Sequence, residues 1–155
     1  MAADGGRLTR FGYVAARLDG QDVIKMWKKE EWVPDKHFEY SMSSGTLKVK
    51  KRGIYLIYAQ LMFFSSEANS GFGIIRKNGT NTEALTKCLT DLPSSPHTSR
   101  HPSQPNRYHK TCTTLITAPL DKGNELYLVA LKPHMQIKLE RAKSYWGLVS
   151  LYNNP

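Results

Sequence analysis

Gly53-Ile-Tyr-Leu-Ile-Tyr-Ala-Gln-Leu-Met-Phe-Phe64 is the longest apolar run in the chain, and its reading decides the fold. It is rich in β-branched and aromatic residues, which favours a strand. At strand period Tyr55, Ile57, Ala59, Leu61 and Phe63 point one way, and Ile54, Leu56, Tyr58, Gln60, Met62 and Phe64 point the other. Neither row has the composition of a solvent face. A strand buried on both sides suits a parallel sheet covered by helices, but the rest of the chain offers few helical patterns. The other solution is an antiparallel sandwich whose second face is covered by another subunit, and the pattern favours it.

The flanking sequence supports many short strands joined by turns, the mark of an all-β sandwich or jelly roll. Thr9 to Leu18 reads as a first strand, and Asp19-Gly20 as a turn. Val23 to Val33 is open between a short helix, with Val23, Trp27 and Glu31 at i, i+4, i+8, and a strand with a loop. His37 to Met42, Thr46 to Lys50, Gly71 to Lys77, Glu83 to Leu92, Tyr108 to Ala118, Glu125 to Leu131 and Ser144 to Tyr152 read as strands. Pro133 to Lys143 is a basic loop, with a further strand suggested by Met135, Ile137 and Leu139. Asn78-Gly79 is a tight-turn dipeptide. Residues 93–106, rich in Pro and Ser, form a long polar loop. Residues 1–8 read as a flexible leader and 9–155 as one domain.

The net charge of +9 allows a polyanion or an acidic protein as partner, or simply a soluble basic domain. The densest cluster is Lys48, Lys50, Lys51 and Arg52. Cations and aromatics fall in different stretches, which disfavours a base-stacking nucleic-acid surface but leaves an anionic glycan open. Cys88 and Cys112 lie in two different expected strands; they either bridge or remain as two buried thiols. Asn78-Gly79-Thr80 is a glycosylation sequon, meaningful only in a secreted chain.

The sequence carries no nucleophile elbow, phosphate-binding glycine loop or zinc-protease motif. His97 and His101 are four apart in the proline-rich loop without supporting ligands. Glu30 and Glu31 are adjacent and diverge on a strand. The reading is therefore a non-enzyme, with no catalytic residues, no metal and no cofactor.

The run Gly-Ile-Tyr-Leu-Ile-Tyr-Ala-Gln-Leu-Met-Phe resembles the signature strand of the tumour necrosis factor (TNF) ligands. Leu120-Asp121-Lys122-Gly123-Asn124-Glu125-Leu126 and Tyr145-Trp146-Gly147-Leu148-Val149-Ser150-Leu151 fit the same family, over about Thr9 to Tyr152. Val14-Ala15-Ala16 resembles the family's first strand, with Ala16 where the family has histidine, and Trp27 matches a family tryptophan, which tips 23–33 towards strand and loop.

The resemblance implies an antiparallel jelly-roll sandwich of about ten strands that assembles as a homotrimer. It implies an interface of Leu56, Tyr58, Gln60, Tyr145, Val149 and Leu151, with Thr113 where an aromatic is usual. It also implies a Cys88–Cys112 bridge of the ectodysplasin-like kind, in that branch or an invertebrate Eiger-like one.

For function it implies a cytokine whose inter-protomer grooves bind cysteine-rich TNF receptor ectodomains and signal by clustering them. The corresponding receptor-binding residues are Lys28, Lys29, Glu30, Glu31, Trp32, Glu67, Asn69, Thr80, Asn81, Met135, Lys138 and Arg141, with Trp32 or Met135 as apolar anchor. The expected setting is extracellular, as a shed or exposed ectodomain of a type II membrane protein. The alternative is a trimeric head of the complement C1q class, or another jelly roll that binds glycan or matrix.

Overall fold

The computed structural model describes residues 5–9, 14–18, 21–25, 27–29, 36–65, 68–90, 108–132, 135–138 and 143–153. They form two antiparallel sheets packed face to face. The strands are β1 (Gly5–Thr9), β2 (Val14–Leu18), β3 (Gln21–Ile24), β4 (Lys28–Lys29), β5 (Phe38–Ser41), β6 (Thr46–Val49) and β7 (Gly53–Ser65). They continue with β8 (Ser70–Asn78), β9 (Asn81–Thr90), β10 (Tyr108–Leu120), β11 (Glu125–Ala130), β12 (Gln136–Ile137) and β13 (Tyr145–Asn153). One sheet runs β10-β7-β13-β1-β4, with β12 against β7. In the other, β11 pairs with β8, which carries β9. On its other side β11 pairs with β6 and then β3. The chain crosses repeatedly between the layers, which brings β7 and β11 to the middle of their sheets.

The apolar run becomes β7, paired with β10 in an unbroken antiparallel ladder from Gly53↔Leu120 to Ser65↔Tyr108. Pro119 is tolerated in that ladder because β10 is an edge strand. Tyr55, Ile57, Ala59, Leu61 and Phe63 enter the core between the sheets, all at most 1% exposed. Trp27, Phe72, Leu126, Leu128, Trp146 and Leu148 pack around them. Burying side chains of this size stabilises by roughly 1.5–3 kcal/mol each before entropy is counted. A second cluster lies on the opposite face of β11, where Tyr127 and Val129 pack with Val23 and Ile75. Both rows of the apolar stretch Glu125–Leu131 are thereby covered.

Several expectations change. Residues expected in the leader stand in β1, where Gly5↔Val149 and Leu8↔Trp146 pair with β13. The single strand expected over Thr9–Leu18 is the end of β1 and all of β2, which belong to different sheets. No helix spans the described part of 23–33. β3 ends at Ile24, and Trp27 turns inward with its indole N–H donating to the Ile24 carbonyl at 3.0 Å. The Tyr40 hydroxyl donates to the Trp27 carbonyl, which fastens this crossing. The β8–β9 turn is Gly79-Thr80 rather than Asn78-Gly79: Asn78 and Asn81 pair, and Gly79 takes φ +61° at the first central position, as a type II′ turn requires.

Cys88 and Cys112 form a disulfide with Cα atoms 6.0 Å apart. It joins β9 to β10, so it ties an edge of one sheet to an edge of the other. Gly71 sits behind it on β8, and a Cβ there would stand 1.8 Å from the Cys88 carbonyl oxygen. The close approach of β8 and β9 at the bridge therefore requires glycine.

Candidate self-association face and partner-binding loops

The row of β7 that points away from the core makes the outer face of its sheet. Cross-strand register sets Thr117, Leu56 and Val149 side by side, then Leu115, Tyr58 and Gly147, then Thr113, Gln60 and Tyr145. Leu56, Tyr58, Gln60, Tyr145 and Val149 are each only half-buried. Towards the start of β7 the face becomes barer. Ile54 is 44% exposed and Tyr152, its neighbour on β13, is 59% exposed. The register shifts between Ser150 and Tyr152, and this bulge leaves both Leu151 and Tyr152 exposed. Four of the six exposed large hydrophobics among the described residues are Ile54, Leu115, Leu151 and Tyr152, all on the strands of this sheet.

Polar contacts organise the other end of the face. The Gln60 Oε1 accepts from the Thr113 hydroxyl at 3.0 Å and from the Tyr145 hydroxyl at 3.3 Å. Its Nε2 donates to the Lys143 carbonyl at 3.1 Å. The Tyr58 and Tyr145 rings lie 6.3 Å apart at 54°, within the range of favourable aromatic pairs. Thr113, where the resemblance expects an aromatic, acts as a hydrogen-bond donor to Gln60. Below this hub β13 gives way to β12 along β7. Ser144 closes the gap: its hydroxyl accepts from the Met62 N–H at 3.0 Å and donates to the Lys138 carbonyl at 2.6 Å.

Two ionisable groups are perturbed nearby. Burial raises the pKa of Tyr55, whose hydroxyl donates to the Lys51 carbonyl at 2.6 Å. Desolvation, and then the charge of Lys50, lower that of Lys29.

Five of the six expected interface residues share this face, and Leu151 joins them at the bulge. Leu115 was not among them, although it is the most exposed hydrophobic of the set, at 62%. Its signal was the alternation in β10, where Leu115 is the single large apolar side chain among outward threonines. Those of the expected receptor-binding residues that are described stand at several places on the protomer. Lys28 is exposed and Lys29 half-buried on β4, at the edge of the sheet. Asn69, exposed at φ +56°, precedes β8, while Thr80 and Asn81 follow it at the hairpin tip, also exposed. Lys138 is half-buried, and its N–H donates to the Met62 carbonyl. Met135 does not serve as an exposed anchor: it is 5% exposed and packs in the core between the sheets. Glu30, Glu31, Trp32, Glu67 and Arg141 lie outside the described residues, as do His97 and His101. Asn78 of the sequon is exposed at the hairpin.

Comparison with known proteins places these observations. The family model described as the TNF (Tumour Necrosis Factor) family matches residues 25–151. The human protein named tumor necrosis factor ligand superfamily member 13 is 22% identical over 105 residues, which are 68% of this chain and 38% of that protein's length. Eiger TNF from S. frugiperda superposes with a TM-score of 0.76 at 18% identity, over 97% of this chain and 94% of that one. Murine APRIL at pH 8.0 superposes with a TM-score of 0.73 at 18% identity, over 95% of this chain and 98% of that one. These structures share the jelly-roll fold seen here, while the family match spans most of the chain, the paired rings of Tyr58 and Tyr145 on the outer face included. The chain belongs to the tumour necrosis factor family.

Proposed function

We propose that this TNF-family chain is a cytokine ligand that works as a homotrimer. The observation that carries the reading is the outer face of β7, β10 and β13, apolar in composition and only half covered by its own chain. A face of this kind is rarely left to water. Tyr58, Tyr145, Leu56, Val149, Leu151 and Leu115 would be buried against two further copies, around Gln60.

Assembly also gives the scattered loops a purpose. Lys28, Lys29 and the 30–32 segment of one protomer would face Asn69, Thr80 and Asn81 of the next, with Glu67, Lys138 and Arg141 contributing to the same groove. The partner fitted to such a groove is a cysteine-rich ectodomain of the TNF receptor family. Three grooves per trimer bring three receptors together, so multivalency strengthens each weak contact. The setting is extracellular, as the exposed or shed ectodomain of a type II membrane protein, with Asn78 available for a glycan.

The test compares capture of cysteine-rich ectodomains by the wild type and by Tyr58→Asp. Capture by the wild type, lost in a variant that keeps its β circular dichroism, supports the reading. Equal capture by a monomeric Tyr58→Asp would refute it.

A further inference from the structure

We infer that Gln60 and Thr113 together make the outer face of β7 select further copies of this chain over other chains of the same fold. The inference rests on the self-association proposed above and adds to it the residues that decide which chain is admitted. Gln60 is the one amide in the outward row of β7, among Leu56, Tyr58 and Met62. An amide carried into an apolar interface costs free energy unless its polar atoms are bonded, so it contributes little affinity. What such a residue does well is set register and partner, as a single polar side chain does in a coiled-coil seam. The orientation of this amide is fixed. The Lys143 carbonyl can only accept, so Nε2 faces it at 3.1 Å, and Oε1 accepts from the hydroxyls of Thr113 at 3.0 Å and Tyr145 at 3.3 Å.

One donor and one acceptor are left over. Nε2 carries a second hydrogen, which has no partner among the described residues. The Thr113 hydroxyl gives its hydrogen to Gln60, and no donor among the described residues reaches its oxygen in return. Thr113 is exposed and stands opposite Gln60 in the β10–β7 ladder. It is also held in place. The Cys88–Cys112 bridge ends at the preceding residue, and the Cys88 sulfur lies 3.6 Å from the Thr113 carbonyl oxygen. Each protomer thus presents an unused amide hydrogen and an unused hydroxyl oxygen, and copies of the chain offer each other both halves of a hydrogen bond. A chain with apolar side chains at these two positions leaves both halves buried without partners, which costs more than the absence of the pair. Selectivity of this kind comes from the penalty on the wrong partner rather than from extra attraction to the right one.

The experiment co-expresses the wild-type chain with Gln60→Met/Thr113→Val under different tags and counts mixed trimers by native mass spectrometry. The double variant removes both halves of the pair at nearly constant volume, so alone it should assemble as well as wild type. Mixed trimers should fall about fivefold below their statistical share, because each holds about one hydrogen bond fewer than sorted trimers do. Leu56→Val, which alters only apolar packing on the same face, should mix with wild type at the statistical share. If the double variant loses its β circular dichroism, Gln60→Leu/Thr113→Val takes its place. Free mixing of the double variant with a trimeric wild type would overturn the inference and leave the proposed assembly standing. So would equal sorting by Leu56→Val, or failure of the folded double variant to assemble alone, since the pair would then act through affinity. A wild type that stays monomeric would overturn the proposed assembly and the inference with it.

Discussion

The two faces of β7 are nearly equal in composition and unequal in cover. Tyr55, Ile57, Ala59, Leu61 and Phe63 are shut into the sandwich by the opposite sheet. Leu56, Tyr58, Gln60 and Met62 are half-buried, and Ile54 is more exposed still. The chain's own packing accounts for the first row. It does not account for the second, since a sheet face meant for water would alternate to polar residues. The difference separates what folds the protomer from what the folded protomer is for.

The inner row should dominate protomer stability. Leu61→Ala is expected to cost about 2–5 kcal/mol in urea unfolding, from lost burial and the cavity left behind. Leu115→Ser, on the outer face, should stay within about 0.5 kcal/mol for the protomer while weakening association. Similar unfolding losses for the two would erase the contrast. Next in size is the bridge between the sheet edges. Cys88→Ser/Cys112→Ser should cost about 3 kcal/mol, read as a lower urea midpoint, and an unchanged midpoint would deny the bridge a role in stability.

Smaller effects sharpen the outer face. Thr113→Val removes one donor to Gln60 and should cost about 1 kcal/mol in protomer stability. It should weaken self-association further, because the Gln60 oxygen then enters the interface less satisfied. An effect on stability without one on association would separate the hub from the interface. Smallest is the alkaline response of Tyr55. Its folded pKa is raised by burial, so folding holds a proton that the unfolded chain loses above about pH 10. That share of stability is complete below about pH 10 and is lost as pH climbs through the folded value. Tyr55→Phe should flatten the decline of the urea midpoint in that window, and an identical decline would contradict the assignment.

The division between local and distant causes also explains what was legible. Alternation gave β7 and its two rows, and the apolar run Glu125–Leu131 gave β11, because strand period and composition are local properties. The sequence likewise placed Tyr58, Gln60 and Tyr145 on one face through their family motif. It could not show Gly5–Thr9 as a strand, since β1 is held by pairing with distant strands, β13 at the far end of the chain and β4. Met135 was taken for an apolar anchor because the resemblance puts its loop among the receptor contacts, and its burial depends on core packing that no local pattern displays. Leu115 was passed over because a lone leucine among threonines announces itself only when cross-strand register sets it beside Tyr58. Ser144 has no motif at all; its role comes from the gap between β12 and β13.

The central claim is that other copies of this chain cover the outer face of β7. Sedimentation equilibrium at micromolar concentration tests it most directly. The account predicts a species of three times the 17.6 kDa protomer mass, reduced to one protomer by Tyr58→Asp with the fold retained. A stable, well-folded wild-type monomer under those conditions would contradict it.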